Sequence, residues 1–223
     1  MVYAENVLIC IAVPLAISLL FTKRSTSRFI ASFLVGMIVC LLSAYISGYF
    51  TLSSGYSAED TSIFLSPIVE ELMKFLPVLF VYFVFESNPQ EIQPNAIGIG
   101  AGFATFENCC FILSSGAQNL AYVLVRGSAV GVMHLMTMVA LAMGLRLIKN
   151  YHLFSLAGLL GVLSLSMTFH GLYNLLVSEP GIPTYIGYAL PMVCAVVLYL
   201  IYHEINQQDE EEKENKNFVK TGE

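Results

Sequence analysis

The chain has 223 residues, of which 57% are hydrophobic and 12% charged, with a mean hydropathy of +0.72 and a formal charge of −6. It carries about half the charge of a soluble domain, which excludes one, and no basic excess points to nucleic acid. What remains is an all-α polytopic protein whose solvent is the lipid bilayer. The negative charge is local: from Glu204 onward seven acids face three lysines, a net of −4. Residues 204–223 therefore read as an acidic, mobile cytoplasmic tail on a single transmembrane domain spanning 1–203.

At ~20 apolar residues per crossing, runs at 5–22, 29–50, 62–85, 96–115, 119–147, 153–177 and 185–203 predict seven transmembrane helices. Lys23, Arg24, Arg28, Arg146, Lys149 and the tail lysines all fall on one side, and the loops 51–61, 116–118 and 178–184 hold no Lys or Arg. The positive-inside rule then puts the N-terminus outside and the C-terminus in the cytoplasm. No basic residue precedes the first run, so it is expected to stay as a span and not to be cleaved as a signal peptide. The five cysteines, Cys10, Cys40, Cys109, Cys110 and Cys194, lie in apolar runs without C-x-x-C spacing and read as reduced packing residues. The pair Cys109-Cys110, two residues past Glu107, keeps a lesser metal or redox reading open.

The first two runs hold no charge at depth. The third contains Ser66-Pro67-Ile68-Val69-Glu70-Glu71-Leu72-Met73-Lys74, three ionisable groups in a segment that otherwise reads as membrane-spanning. An ionised side chain at such depth costs at least ~2.5 kcal/mol, so these groups are expected to face a partner or a water-filled cavity. At ~100° per residue Lys74 falls between Glu70 and Glu71, within reach of both. Ser66-Pro67 fits a helix start, and Pro77 a kink in the far half.

In the fourth run Gly98, Gly100 and Gly102 read as close helix packing, whereas the acid and amide of Glu107-Asn108 need partners. The fifth run carries Arg126 and His134, ~80° apart on a helix; Arg126 can also snorkel to the outer surface, an exit His134 lacks. In the sixth, His170 and Asn174 share a face at i, i+4, so the amide can orient the imidazole. Counted from the outer end at 1.5 Å per residue, Glu70, Glu107 and His170 all lie ~10–12 Å down, with His134 deeper. Acids and bases aimed at one layer are what holding a water for hydrolysis requires.

The set Glu70-Glu71-x-x-Lys74, Phe103-x-x-x-Glu107-Asn108, Arg126 followed by His134, and His170-Gly-x-Tyr-Asn174 resembles the PrsW family of bacterial intramembrane proteases, over roughly 62–177. That family shares a superfamily with the type II CAAX prenyl endopeptidases and the APH subunit of gamma-secretase. The resemblance implies a bacterial cytoplasmic-membrane protease that makes the first cut in a membrane-anchored substrate such as an anti-sigma factor. It implies that Glu70 activates water with Glu71 in support, and that His134 and His170 position water or stabilise the oxyanion. Lys74, Glu107, Asn108, Arg126 and Asn174 would support them. Glu107 stands where the CAAX enzymes have histidine, and Asn174 where many relatives carry Asp. The family has been described both as metal-dependent and as glutamate-dependent. No cofactor is expected here, although Glu70, Glu107, His134 and His170 are a donor set that zinc could take.

Two readings compete from other classes. A proton-coupled transporter would place the same groups along an ion path, but no inverted repeat is evident. A non-catalytic scaffold like the APH subunit would not need two acids beside one lysine. Partners are thus a membrane-anchored protein substrate and the bilayer, with oligomeric state open.

Overall fold

The computed structural model describes residues 3–21, 24–85, 89–115, 119–150 and 155–221, and among them the regular structure is entirely helical. The helices are α1 (Ala4–Ser18), α2 (Arg24–Ser54), α3 (Ala58–Asp60), α4 (Ser66–Phe80), α5 (Pro89–Ser115), α6 (Leu120–Asn150), α7 (Ser155–Ser178) and α8 (Ile182–Thr221). Among the described residues five stretches are single helices long and apolar enough to cross a membrane: Thr26–Ser54, Ile92–Ser114, Leu120–Leu147, Ala157–Ser178 and Ile182–Glu204. The first of the seven expected spans is the shorter α1, 15 residues followed by the 3-10 turn Leu19–Phe21.

The third expected span is helical throughout but wound in pieces. Thr61–Leu65 and Val81–Phe85 are π turns on either side of α4. The first is explained by Pro67, whose missing N–H and ring clash fall on the carbonyl of Ile63 four residues back and spoil the ordinary ladder there. The α-helical winding restarts at Ser66 with Pro67 in its first turn, as the sequence predicts, but Leu65 before it is already helical (φ −95°, ψ −46°), so Ser66 is not the cap that opens the segment. The start is Ser57, whose Oγ accepts the Asp60 N–H at 3.0 Å. Helix α8 winds on through the acidic stretch to Thr221, in a run of Glu, Gln and Lys with good helix propensity.

Helix α4 shows how sequence spacing sets its faces. Ile68, Leu72, Leu76 and Phe80 recur every fourth residue and form an exposed apolar stripe, while Glu71, Lys74, Phe75 and Val78 are buried. Exposed Ile38, Leu42, Tyr45 and Tyr49 repeat the pattern on α2, and Val193, Val197 and Leu200 on α8. So much contiguous apolar surface suits lipid, not water.

Helix α5 sits centrally, between α2 on one side and α6 on the other. The α2–α5 crossing is close enough to need glycine: a Cβ on Gly102 would lie 1.9 Å from the Phe33 carbonyl oxygen, and one on Gly36 2.1 Å from that of Ile99. Helix α4 packs between α2 and α7, α8 covers α6 and α7, and α1 rests on α2 and α5. One apolar cluster, with Phe75, Val78, Ile99, Met138 and Leu141, and another, with Met37, Cys40, Phe103 and Phe106, contribute residues from the helices that hold the polar centre.

Candidate active site

The polar residues of α4, α5, α6 and α7 converge. Glu71, Lys74 and His134 have 0% exposure and His170 3%, so each must find its partners inside the bundle. Lys74 Nζ donates to Glu71 Oε1 at 2.7 Å and to Thr137 Oγ1 at 3.3 Å, and lies 2.9 Å from His134 Nδ1. It also sits 5.1 Å from the centre of the Phe103 ring. Glu71 Oε1 additionally takes the Nδ1 side of His170 at 2.8 Å. His134 Nε2 meets Glu107 Oε2 at 2.6 Å, and the two imidazoles stand perpendicular with centres 5.1 Å apart.

Around this buried cluster lies a more open layer. Glu70, its side chain 18% exposed, points Oε2 toward His170 Nε2 at 3.7 Å, and that oxygen is buried without a hydrogen-bond partner. Glu107, 31% exposed, also approaches Arg126 at 3.7 Å. Arg126 donates to Asn108 Oδ1 at 2.5 Å and stacks on Phe111, guanidinium carbon to ring centre 3.4 Å. Glu70, Glu107, Arg126, Tyr173 and Asn174 line one cavity of about 460 Å³, bounded by Ser62, Tyr122 and Ser178 at the end of the bundle where α6 begins and α7 ends. A second, of about 410 Å³, shares Glu107, Phe111 and Arg126 and is walled by Ala4 and Val7 of α1.

Several sequence expectations change in detail. Lys74 bonds Glu71, and Glu70 is left to the cavity. Arg126 turns inward with its side chain 12% exposed, and does not snorkel to the surface. His134 lies in the buried cluster behind the more open layer, within hydrogen-bond reach of both Glu107 and Lys74. Asn174 does not orient His170; its Nδ2 donates to the Ser62 carbonyl at 2.8 Å, an acceptor in the π turn. Glu71 orients His170 in its place. Three contributors went unnamed in the sequence reading: Thr137, Phe111 and the Ser62 carbonyl. Thr137 follows His134 by one turn on the same face, the one signal that could have found it.

Glu70, His134 and His170 each bring one potential metal-ligating atom within 4.8 Å of the others, the convergent set among the described residues, and no cysteine joins it. Two of the three suit zinc: Glu70 has an unpartnered oxygen, and His170 is held through its other nitrogen by a carboxylate, as metal-bound histidines are. His134 does not, because both its nitrogens are engaged, by Lys74 and by Glu107. A three-ligand zinc site would therefore require His134 to exchange one of these partners for the metal.

Several apolar helices enclosing a centre of acids and imidazoles define a multi-pass membrane protein with an ionisable site inside its bundle. The model of the PrsW family intramembrane metalloprotease matches residues 24–202, and the chain belongs to that family of intramembrane proteases. No curated protein and no solved structure matches it.

Proposed function

We propose that the chain is an intramembrane endopeptidase of the glutamate type, with Glu70 as the base that activates water. The observation that carries this reading is Glu70 Oε2, buried without a hydrogen-bond partner beside a cavity and 3.7 Å from His170 Nε2. Two acceptors at that spacing can share one water. Glu70 takes a proton from it, and the oxygen adds to the peptide carbonyl carbon. The tetrahedral oxyanion needs donors; the guanidinium of Arg126 and the amide of Asn174 both line the cavity. When the intermediate collapses the C–N bond breaks, and the proton on Glu70 goes to the departing amine. Glu71 and His170 hold one side of this centre, while His134, buried behind Glu107, holds the other.

In this reading α1 and the α3–α4 segment complete seven crossings, the N-terminus is outside and the tail cytoplasmic. The cavity then lies toward the outer face of a bacterial cytoplasmic membrane. The substrate class is a membrane-anchored protein cut near that face, an anti-sigma factor being the example that the family resemblance offers.

The test is cleavage of single-span substrates by purified protein, comparing wild type with Glu70→Gln and His170→Ala, each with and without a strong chelator. Loss in both variants with no effect of chelator is the expected result. Loss on chelation, restored by zinc, would replace the glutamate mechanism with a metal-dependent one. A folded wild type that cuts nothing would favour a scaffold or carrier.

A further inference from the structure

The proposed hydrolysis uses the first cavity and leaves the second without a task. That second cavity, of about 410 Å³, falls within the ~300–1,000 Å³ of ligand pockets. Helix α5 forms its floor, with Ala4 and Val7 of α1 on one side and Arg126 of α6 on the other. From Glu107 at its inner end to Ser114 it follows α5 for ~10 Å. Leu113, near the outer limit, is an exposed apolar side chain on the flank of the bundle.

The two cavities meet at Glu107, Phe111 and Arg126 and differ beyond them. The first has Ser62, Glu70, Tyr122 and Asn174 among its walls, whereas the second, apart from Ser114, offers Ala4, Val7, Cys110 and Leu113. A membrane-anchored substrate has the same asymmetry. From a bond cut near the membrane face its chain runs one way into water and the other way into lipid, so a site for it needs one polar exit and one apolar exit. Helix α1 is the wall with least to hold it: none of its residues is buried, and it rests on α2 and α5. Elements with few buried contacts are the ones that open locally.

We propose that the second cavity is the membrane-side half of the substrate site. It takes a short apolar stretch of the substrate beside its transmembrane anchor, the first cavity takes the stretch that leads to water, and the bond to be cut lies where the two meet. Helix α1 is the wall past which the anchored chain enters. This assignment rests on the protease reading and adds to it the direction in which the substrate lies.

The experiment uses the full chain in phosphatidylcholine vesicles and a synthetic peptide of one apolar transmembrane segment with a polar outer extension. Photoreactive benzoylphenylalanine replaces Leu113 in the second cavity, Tyr122 in the first, or the exposed Val197 of α8 as a control. The Leu113 position is expected to capture the peptide on its transmembrane side, the Tyr122 position to capture the polar extension, and the Val197 position neither. No capture from Leu113, or capture from Val197 as strong, overturns the proposal. In cleavage, Val7→Trp fills the second cavity and is expected to raise KM on the order of tenfold with kcat unchanged. Ile9→Trp, on the exposed face of α1, should leave both constants at the wild-type values. A wild-type KM in folded Val7→Trp overturns the proposal and leaves the protease reading intact. The expected cross-links beside a wild type that cuts no single-span substrate would keep the second cavity as a binding site and end the protease reading.

Discussion

Two parts of the bundle are equally dry and are held by opposite means. At the α2–α5 crossing Gly36 and Gly102 remove side chains so that backbones touch, and what matters is volume. At the centre Glu71, Lys74, His134 and Thr137 fill the space with polar atoms, and what matters is that each donor meets an acceptor. The first kind of packing tolerates no addition. The second tolerates no deletion, because removing one partner strands a charge that the bilayer cannot hydrate. In the proposed mechanism catalysis sits at the edge of the second region, where Glu70 lines the cavity and keeps Oε2 without a hydrogen-bond partner, as Glu71 does with its own Oε2 inside the cluster.

The largest expected effect tests that edge. Glu70→Gln keeps shape but removes the base, so cleavage should fall by on the order of 10²–10⁴-fold while thermal unfolding in detergent stays within a few degrees of wild type. Equal losses of activity and stability would move Glu70 into the structural cluster. Next comes Glu71→Leu, which leaves Lys74 and His170 facing a hydrocarbon side chain and should destabilise by about 3–5 kcal/mol. Adding Lys74→Met to it removes the stranded charge and should restore most of that stability without restoring cleavage. A double variant as unstable as the single one would show that the cluster is not held as an ion pair.

Much of this centre was legible because charge in an apolar run is its own signal. Glu70, Glu71, Lys74, Glu107, Arg126, His134 and His170 stand out from sequence alone, and the structure brings all of them to one neighbourhood. Who bonds whom was not legible. Helical arithmetic put Lys74 between the two glutamates, but the choice of Glu71 depends on α6 and α7 supplying His134, Thr137 and His170 from across the bundle. Asn174 was misread for a related reason: its acceptor is a carbonyl in the π turn, and no spacing rule applied to the sixth run points to it. The same turn divides the third span, so an apolar window counts one crossing where the backbone changes its winding twice.

A smaller effect probes the volume-limited region. Gly102→Ala places a methyl 1.9 Å from the Phe33 carbonyl oxygen, a backbone atom that cannot rotate away, so α2 and α5 must part. A loss of about 2 kcal/mol is expected, read as a lower unfolding temperature, with cleavage per folded molecule little changed. If activity fell more than stability, the two regions would be coupled and the contrast between them would fail.

The smallest effect separates the family pattern from this chain's own bonding. The resemblance to the PrsW family implies Asp in many relatives where Asn174 stands, which makes Asn174→Asp the mildest change in composition. Here, however, the amide donates to the Ser62 carbonyl, and an ionised carboxylate has no proton to give. Two acceptors would then face each other across the junction between α7 and the π turn that leads into α4. A loss of about 1 kcal/mol follows from the missing bond. Because that turn is continuous with the helix bearing Glu70, cleavage should fall severalfold as well. Asn174→Gln, longer but still a donor, should recover part of both. If Asn174→Asp instead raised activity at unchanged stability, the residue would act on substrate through its charge, and its tie to Ser62 would be incidental.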